Sequence, residues 1–126
     1  MVPSTVGGVA YIFSTIGEPD VIEHTGSPER FVIGELDDQH ISRIEALDDV
    51  LSERDGIDAV LADDIRVELW RKFIFICARA GRTATTRLSI GQIRETDVFW
   101  GIYRRIMEEV AACRSSGGYQ TTRRYH

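Results

Sequence analysis

From near residue 63 the hydrophobic period of this chain becomes helical throughout, and that change fixes what kind of fold is open to it. Before it, apolar residues come in short β-branched and aromatic runs broken by Gly and Pro; after it, they recur every three or four residues for several turns at a time. Short runs of the first kind predict strands, and long runs of the second predict amphipathic helices. The expected class is therefore α/β followed by all-α.

In the first part, residues 6–16, 21–25 and 30–33 read as three strands of a small antiparallel meander. Gly17-Glu18-Pro19-Asp20 and Gly26-Ser27-Pro28 supply the turns. A meander has edges to protect and calls for a larger sheet beside it. Ser42-Arg43-Ile44-Glu45 has capping-box spacing, and Ile41, Ile44, Leu47 and Leu51 line one face of the helix it opens. Gly56 closes that helix, and residues 57–61 return to strand. A helix between strands predicts an α/β unit that continues the sheet.

In the second part, Asp63 or Asp64 can cap a helix expected to run to Ala80, with Gly81 as its left-handed stop. Residues 82–94 read as a connection or short helical turns around Ser89-Ile90-Gly91. A last helix begins near Thr96 and carries Val98, Ile102, Ile106, Val110 and Cys113 on one face. From Arg114 the apolar period is lost, which predicts a disordered tail over residues 114–126.

Charge follows the same division. Residues 1–68 hold sixteen acids and four arginines, a net of -12, whereas residues 69–126 hold eleven bases and four acids, a net of +7. The acidic half repels phosphate. The arginines of the basic half are scattered, several at helical spacing that exposes them singly, so no nucleic-acid partner is expected. No run approaches the roughly 18 apolar residues of a membrane span. No basic stretch precedes the apolar N-terminal residues, as a secretory signal would require. Cys77 and Cys113 form no CxxC or CxxH pattern, so neither a metal site nor a disulfide is expected, and a reduced, cytoplasmic chain is.

Fourteen of the fifteen basic residues are arginine; Lys72 is the exception. With Ile65 at zero and 100° per residue, Leu69, Phe73, Ile76 and Ala80 fall between about 20° and 80°, and Lys72 falls near about -20°. The lone lysine thus lies along the most apolar stripe of the most apolar helix. A lysine there can snorkel, pair with a carboxylate such as Glu68, or line a cleft with a lowered pKa suited to passing a proton. Spacing does not choose among these.

Other candidates carry less. His24 follows Glu23 in a strand and reads as structural; His40 and His126 have no ligand-spaced partners. Gly7-Gly8 lacks the GxGxxG spacing and precedes a strand, so it is no nucleotide loop. The acidic pairs Asp37-Asp38, Asp48-Asp49, Asp63-Asp64 and Glu108-Glu109 read as caps and solvated faces. No serine sits in a GxSxG elbow.

Taken together, the motifs resemble a known family. The run Gly8-Val-Ala-Tyr-Ile-Phe-Ser-Thr-Ile, then Pro19-Asp-Val-Ile-Glu-His-Thr-Gly26, then Phe31-Val-Ile-Gly-Glu35, resembles the middle of ketopantoate reductase (2-dehydropantoate 2-reductase). So do Asp63-Asp-Ile-Arg-Val-Glu-Leu-Trp-Arg-Lys-Phe73, Thr83-Ala84 and Ile90-Gly91. The resemblance implies that residues 1–62 are the last strands of a Rossmann-like NADP-binding domain. Residues 63–113 would then be the first helices of a 6-phosphogluconate-dehydrogenase-like helical domain, with both domains incomplete. It further implies NADPH as cofactor and a small 2-oxo acid such as 2-dehydropantoate as substrate. Lys72 would be the active-site lysine that protonates the carbonyl oxygen as hydride arrives from the nicotinamide.

Departures from the family qualify this. The Gly-rich phosphate loop has no counterpart here, nor do the later helices that bear a substrate-binding serine and an acidic residue. Asparagines that bind substrate four and eight residues after the lysine are replaced by Ile76 and Ala80. The tail from Arg114 departs from the helical continuation, as a truncated or frame-shifted reading would. The expectation is a chain inactive by itself. The alternative is a non-enzymatic interaction fragment that self-associates, for instance as a homodimer, or complements a separately encoded remainder.

Overall fold

The run expected as one long first strand breaks in two at Ile12-Phe13, and the break changes how the sheet is built. A computed structural model describes residues 5–26, 29–36 and 42–116. In it, β1 (Gly7–Tyr11) pairs antiparallel with β4 (Glu29–Gly34), while β2 (Ser14–Ile16) and β3 (Ile22–His24) pair only with each other as a hairpin. The meander is therefore corrected to two sheets among the described residues: a three-stranded one in the order β1-β4-β5 and a two-stranded ribbon. Burial explains the split. Val9, Val32 and Ile33 are buried, whereas every residue of the hairpin strands is exposed, Ile16 at 77%.

The α/β unit forms as the sequence predicts. Helix α1 (Ser42–Ser52) links β4 to β5 (Ile57–Leu61), and these two strands run parallel. Parallel neighbours need such a crossover, and a central strand covered on both sides reads as a continuous apolar run; the Phe31-Val32-Ile33 stretch of β4 is one. Ile44 of α1 is fully buried, and Gly56 adopts a positive φ of 86° in the turn before β5. Leu47 lies exposed despite sharing the predicted apolar face, Leu51 is half-buried, and Ile41 lies outside the described residues.

The chain divides into two compact units, Met1–Leu69 and Trp70–His126, with the boundary inside α2 (Ile65–Thr86). In the first unit Val9, Val32 and Ile65 form the core, flanked by Tyr11, Leu36, Val60 and Ala62. In the second, α3 (Ile90–Glu95) and α4 (Asp97–Ser116) pack with the later part of α2 through Ala78, Ile93 and Tyr103. The short helix α3 has a complete capping box: the Ser89 hydroxyl accepts from the Gln92 backbone N–H, and the Gln92 side chain accepts from the Ser89 N–H.

Helix α2 does not stop at Gly81 but continues to Thr86. Gly81 has no positive φ, and the left-handed residue that follows the helix is Arg87, at φ 56°. Thr83, Thr85 and Thr86 each donate a hydroxyl hydrogen bond to the carbonyl four residues earlier, which helps carry the helix past the glycine. Similarly, α4 runs to Ser116, past the Arg114 where the tail was expected to begin. Residues 117–126 lie outside the described residues. Arg114 is itself buried, at 1% exposure.

Candidate functional site

The site is built from the start of α2 outward. Asp64 caps the helix, its carboxylate accepting from the Arg66 backbone N–H at 2.9 Å. Ile65 is fully buried, seated over two glycines that face each other across the β1–β4 ladder, Gly7 and Gly34. A Cβ on Gly7 would lie 2.8 Å from Ile65 Cγ1, and one on Gly34 would lie 2.8 Å from Ile65 Cβ. The Arg66 guanidinium donates to the Leu36 carbonyl at the end of β4. These contacts fix the first turn of the helix whose next turns carry the lysine.

Lys72 is half-buried, as part of a stripe that is open instead of packed. Leu69, Phe73 and Ile76 are 37%, 52% and 42% exposed, and Ala80 is exposed as well. The residues that α2 buries in the second unit are Ile74 and Ala78, on the far side of the wheel from the predicted stripe. The same correction holds for α4. Val98, Ile102 and Cys113 are exposed and Ile106 and Val110 half-buried, while Tyr103 is buried and Phe99, Trp100 and Met107 pack around it. In α2 the interior takes Ile74 and Ala78 and in α4 it takes Tyr103, so the stripe predicted from each helix's apolar period is not the face it buries there.

Several arginines of the basic half are exposed as expected, Arg87, Arg104 and Arg105 among them, but three lie over aromatic rings. Arg79 lies over the Phe75 ring at 5.8 Å, Arg82 over Phe99 at 5.2 Å, and Arg94 over Trp100 at 5.9 Å, all within cation–π range. Trp100 stacks on Tyr103, with centroids 5.0 Å apart and planes 17° apart. Burial pushes the Tyr103 phenol above its usual pKa, and the Arg79 and Arg94 charges pull it partly back. Spacing could not reveal this interleaving, because it joins three helices.

A second feature the sequence did not disclose is Glu35. It follows β4 at the carboxyl end of the parallel pair, is buried, and accepts two hydrogen bonds from Arg43, at 2.7 and 2.6 Å. That fork of hydrogen bonds, with the Arg43 charge behind it, holds the Glu35 carboxyl below the usual range. His24 sits 3.5 Å from Glu29 at the surface, in keeping with a structural histidine.

The comparisons with known proteins agree on one family. Residues 64–124 match the family model described as the C-terminal domain of ketopantoate reductase PanE/ApbA. The crystal structure of 2-dehydropantoate 2-reductase from Geobacter metallireducens GS-15 superposes with a TM-score of 0.82 at 30% identity, covering 94% of this chain. The chain belongs to the ketopantoate reductase family. A second member of known structure, 2-dehydropantoate 2-reductase from Porphyromonas gingivalis W83, is 26% identical over 96% of the chain, with a TM-score of 0.77. YkpB of Bacillus subtilis (strain 168), described as an uncharacterized oxidoreductase, is 33% identical over 94 residues, 73% of this chain. The chain spans 39% of the Geobacter structure, 42% of the Porphyromonas structure and 30% of YkpB. Because the family match runs to residue 124, the stretch from Arg114 is a continuation of the family pattern, contrary to the departure expected from sequence.

The sheet places Gly7 and Gly8 inside β1 and not at a helix start. A side chain on Gly7 would run into Ile65, while Gly8 is exposed and an added Cβ there would meet nothing nearer than 3.9 Å. Neither glycine sits in a loop that opens a helix, as a pyrophosphate-binding loop requires.

Proposed function

We propose that this chain carries the proton-donating helix of a reductase acting on a small 2-oxo acid, with Lys72 as donor. Family membership supports this reading. The observation that carries it is the placement of the lone lysine on an open apolar stripe of α2, beside Phe73 and Ile76. An ammonium beside apolar surface is well placed to meet a ketone oxygen and to release its proton there, as the carbonyl carbon is reduced and the product becomes a 2-hydroxy acid. In the family's reaction the hydride comes from NADPH. The substrate is of the 2-dehydropantoate class, with Ile76 and Ala80 favouring an apolar side chain where the asparagines of the known branch would make polar contacts. The pathway is pantothenate biosynthesis, the compartment is the cytoplasm, and residues 1–62 and 63–113 belong to the nucleotide and helical domains respectively.

The test grafts this chain's residues 5–116 onto the matching segment of the Geobacter relative and follows NADPH oxidation with 2-dehydropantoate. Lys72→Met in the graft is expected to lower kcat by about 10²- to 10⁴-fold, the usual worth of a positioned proton donor. Unchanged kcat in that variant removes Lys72 from the mechanism. The 126-residue chain by itself is expected to leave NADPH unoxidised, since its sequence contains no Gly-rich phosphate loop.

A second reading has its own support in the exposed apolar residues Phe73, Ile76, Val98 and Ile102. Such faces favour self-association, including a homodimer. Light scattering that finds only monomer across concentration counts against it.

A further inference from the structure

Two exposed apolar surfaces of this chain carry opposite charge. The first is the β2–β3 hairpin. Ile16 and Ile22 are direct partners across its ladder and are 77% and 67% exposed. Glu18 and Asp20 stand in the turn beside them, Glu23 follows Ile22, and no lysine or arginine occurs before Arg30. The second is the open stripe of α2. Ile76, Ala80 and Phe73 lie between about 20° and 80° on its wheel, with Lys72 and Arg79 along one edge between about -40° and -20°. The buried Ile74 and Ala78 fall on the opposite side of the helix, near about 180° and 220°. Between Glu68 and Glu95 the sequence holds six bases and no acid.

Charge decides how such surfaces can meet. Hairpin on hairpin would set Glu18, Asp20 and Glu23 against their own copies, and stripe on stripe would do the same with Lys72 and Arg79. Like charges brought together in this way suppress association. The exposed α4 face at Val98 and Ile102 carries Arg105 with Glu109, 4.0 Å apart, and so favours neither sign. Hairpin on stripe sets isoleucines against Ile76 and Phe73, and acids against bases. The lengths match as well: a three-residue strand is about 10 Å long, and the helix rises about 10 Å from Phe73 to Ala80. We propose that the β2–β3 hairpin of one copy seats on the α2 stripe of a second copy. Reciprocal seating closes a two-fold pair and doubles the buried area, which a ribbon this small requires. This rests on the reading of the exposed faces as self-association surfaces and names which face meets which.

Sedimentation velocity of the 126-residue chain tests the pairing. The wild type is expected to associate with rising concentration, and roughly tenfold more weakly at about 0.5 M salt than at about 0.05 M. Ile22→Lys puts a cation on the hairpin and Ile76→Glu puts an acid on the stripe, so each variant by itself is expected to be monomeric. Mixed in equal amounts, the two are expected to associate again, because each altered face then meets its opposite charge. Both positions are exposed, and an unfolded variant could not restore association, so the mixture guards against a loss caused by misfolding. If the mixture stays monomeric, or if either variant self-associates as the wild type does, hairpin-on-stripe seating is wrong. A wild type that is monomeric at every concentration sinks the self-association reading along with it. A dimer kept in Ile22→Lys but lost in Ile76→Glu leaves that reading standing without the hairpin.

Discussion

Single residues decide where the lysine helix starts. Ile65 can sink onto the sheet only because Gly7 and Gly34, partners across the β1–β4 ladder, present no side chains beneath it. Gly34→Ala would put a methyl 2.8 Å from Ile65 Cβ, an atom anchored to helix backbone that cannot swing aside. Overpacking of this kind costs about 1–3 kcal/mol. Urea unfolding followed by circular dichroism should therefore show a lower midpoint with an unchanged slope. Gly7, read from sequence as no part of a nucleotide loop, is paired with Gly34 as a packing device.

At the scale of elements, α2 carries most of the functional interest and breaks two sequence rules. It runs through Gly81, and it turns its aliphatic stripe outward. A glycine inside a helix costs roughly 0.5–1 kcal/mol relative to alanine. A Cβ at Gly81 would meet nothing within 4 Å, so Gly81→Ala is expected to stabilise the chain by about that amount and raise the thermal midpoint. A lowered midpoint would mean that the position serves as a stop after all. The outward stripe has a physical reason: Tyr103 and Ile93 pack against Ala78, whose small side chain admits the ring, and that contact draws the Ala78 side of the helix inward.

For the whole molecule, the change in sign of charge near residue 68 coincides with the boundary between the two compact units after Leu69. The acidic unit holds a buried carboxylate whose ionised form is favoured by Arg43. A folded-state pKa below the unfolded value gives stability that is present above about pH 4.5 and lost as pH falls through the folded value. Acid unfolding of the wild type should therefore steepen below that pH, and Glu35→Gln should flatten the acid limb. Equal acid limbs in the two proteins would show that the pair has no part in it.

Much of this protein was legible in the order of its residues. The strand-then-helix division, the β4–α1–β5 unit, the Asp64 cap, the turn at Gly56 and the family resemblance all rest on local period, turn chemistry or motif, which a chain carries wherever it folds. Lys72 could be singled out because one lysine on an apolar stripe is costly by its own chemistry. Tertiary structure decided the rest, because the deciding contacts join distant residues. Only packing could separate the hairpin from the main sheet, seat Ile65 on Gly7 and Gly34, bury Glu35 against Arg43, or gather Ala78, Ile93 and Tyr103 from three helices. Amphipathic period says that a helix has an apolar face; which face is covered depends on the size and shape of what arrives to cover it.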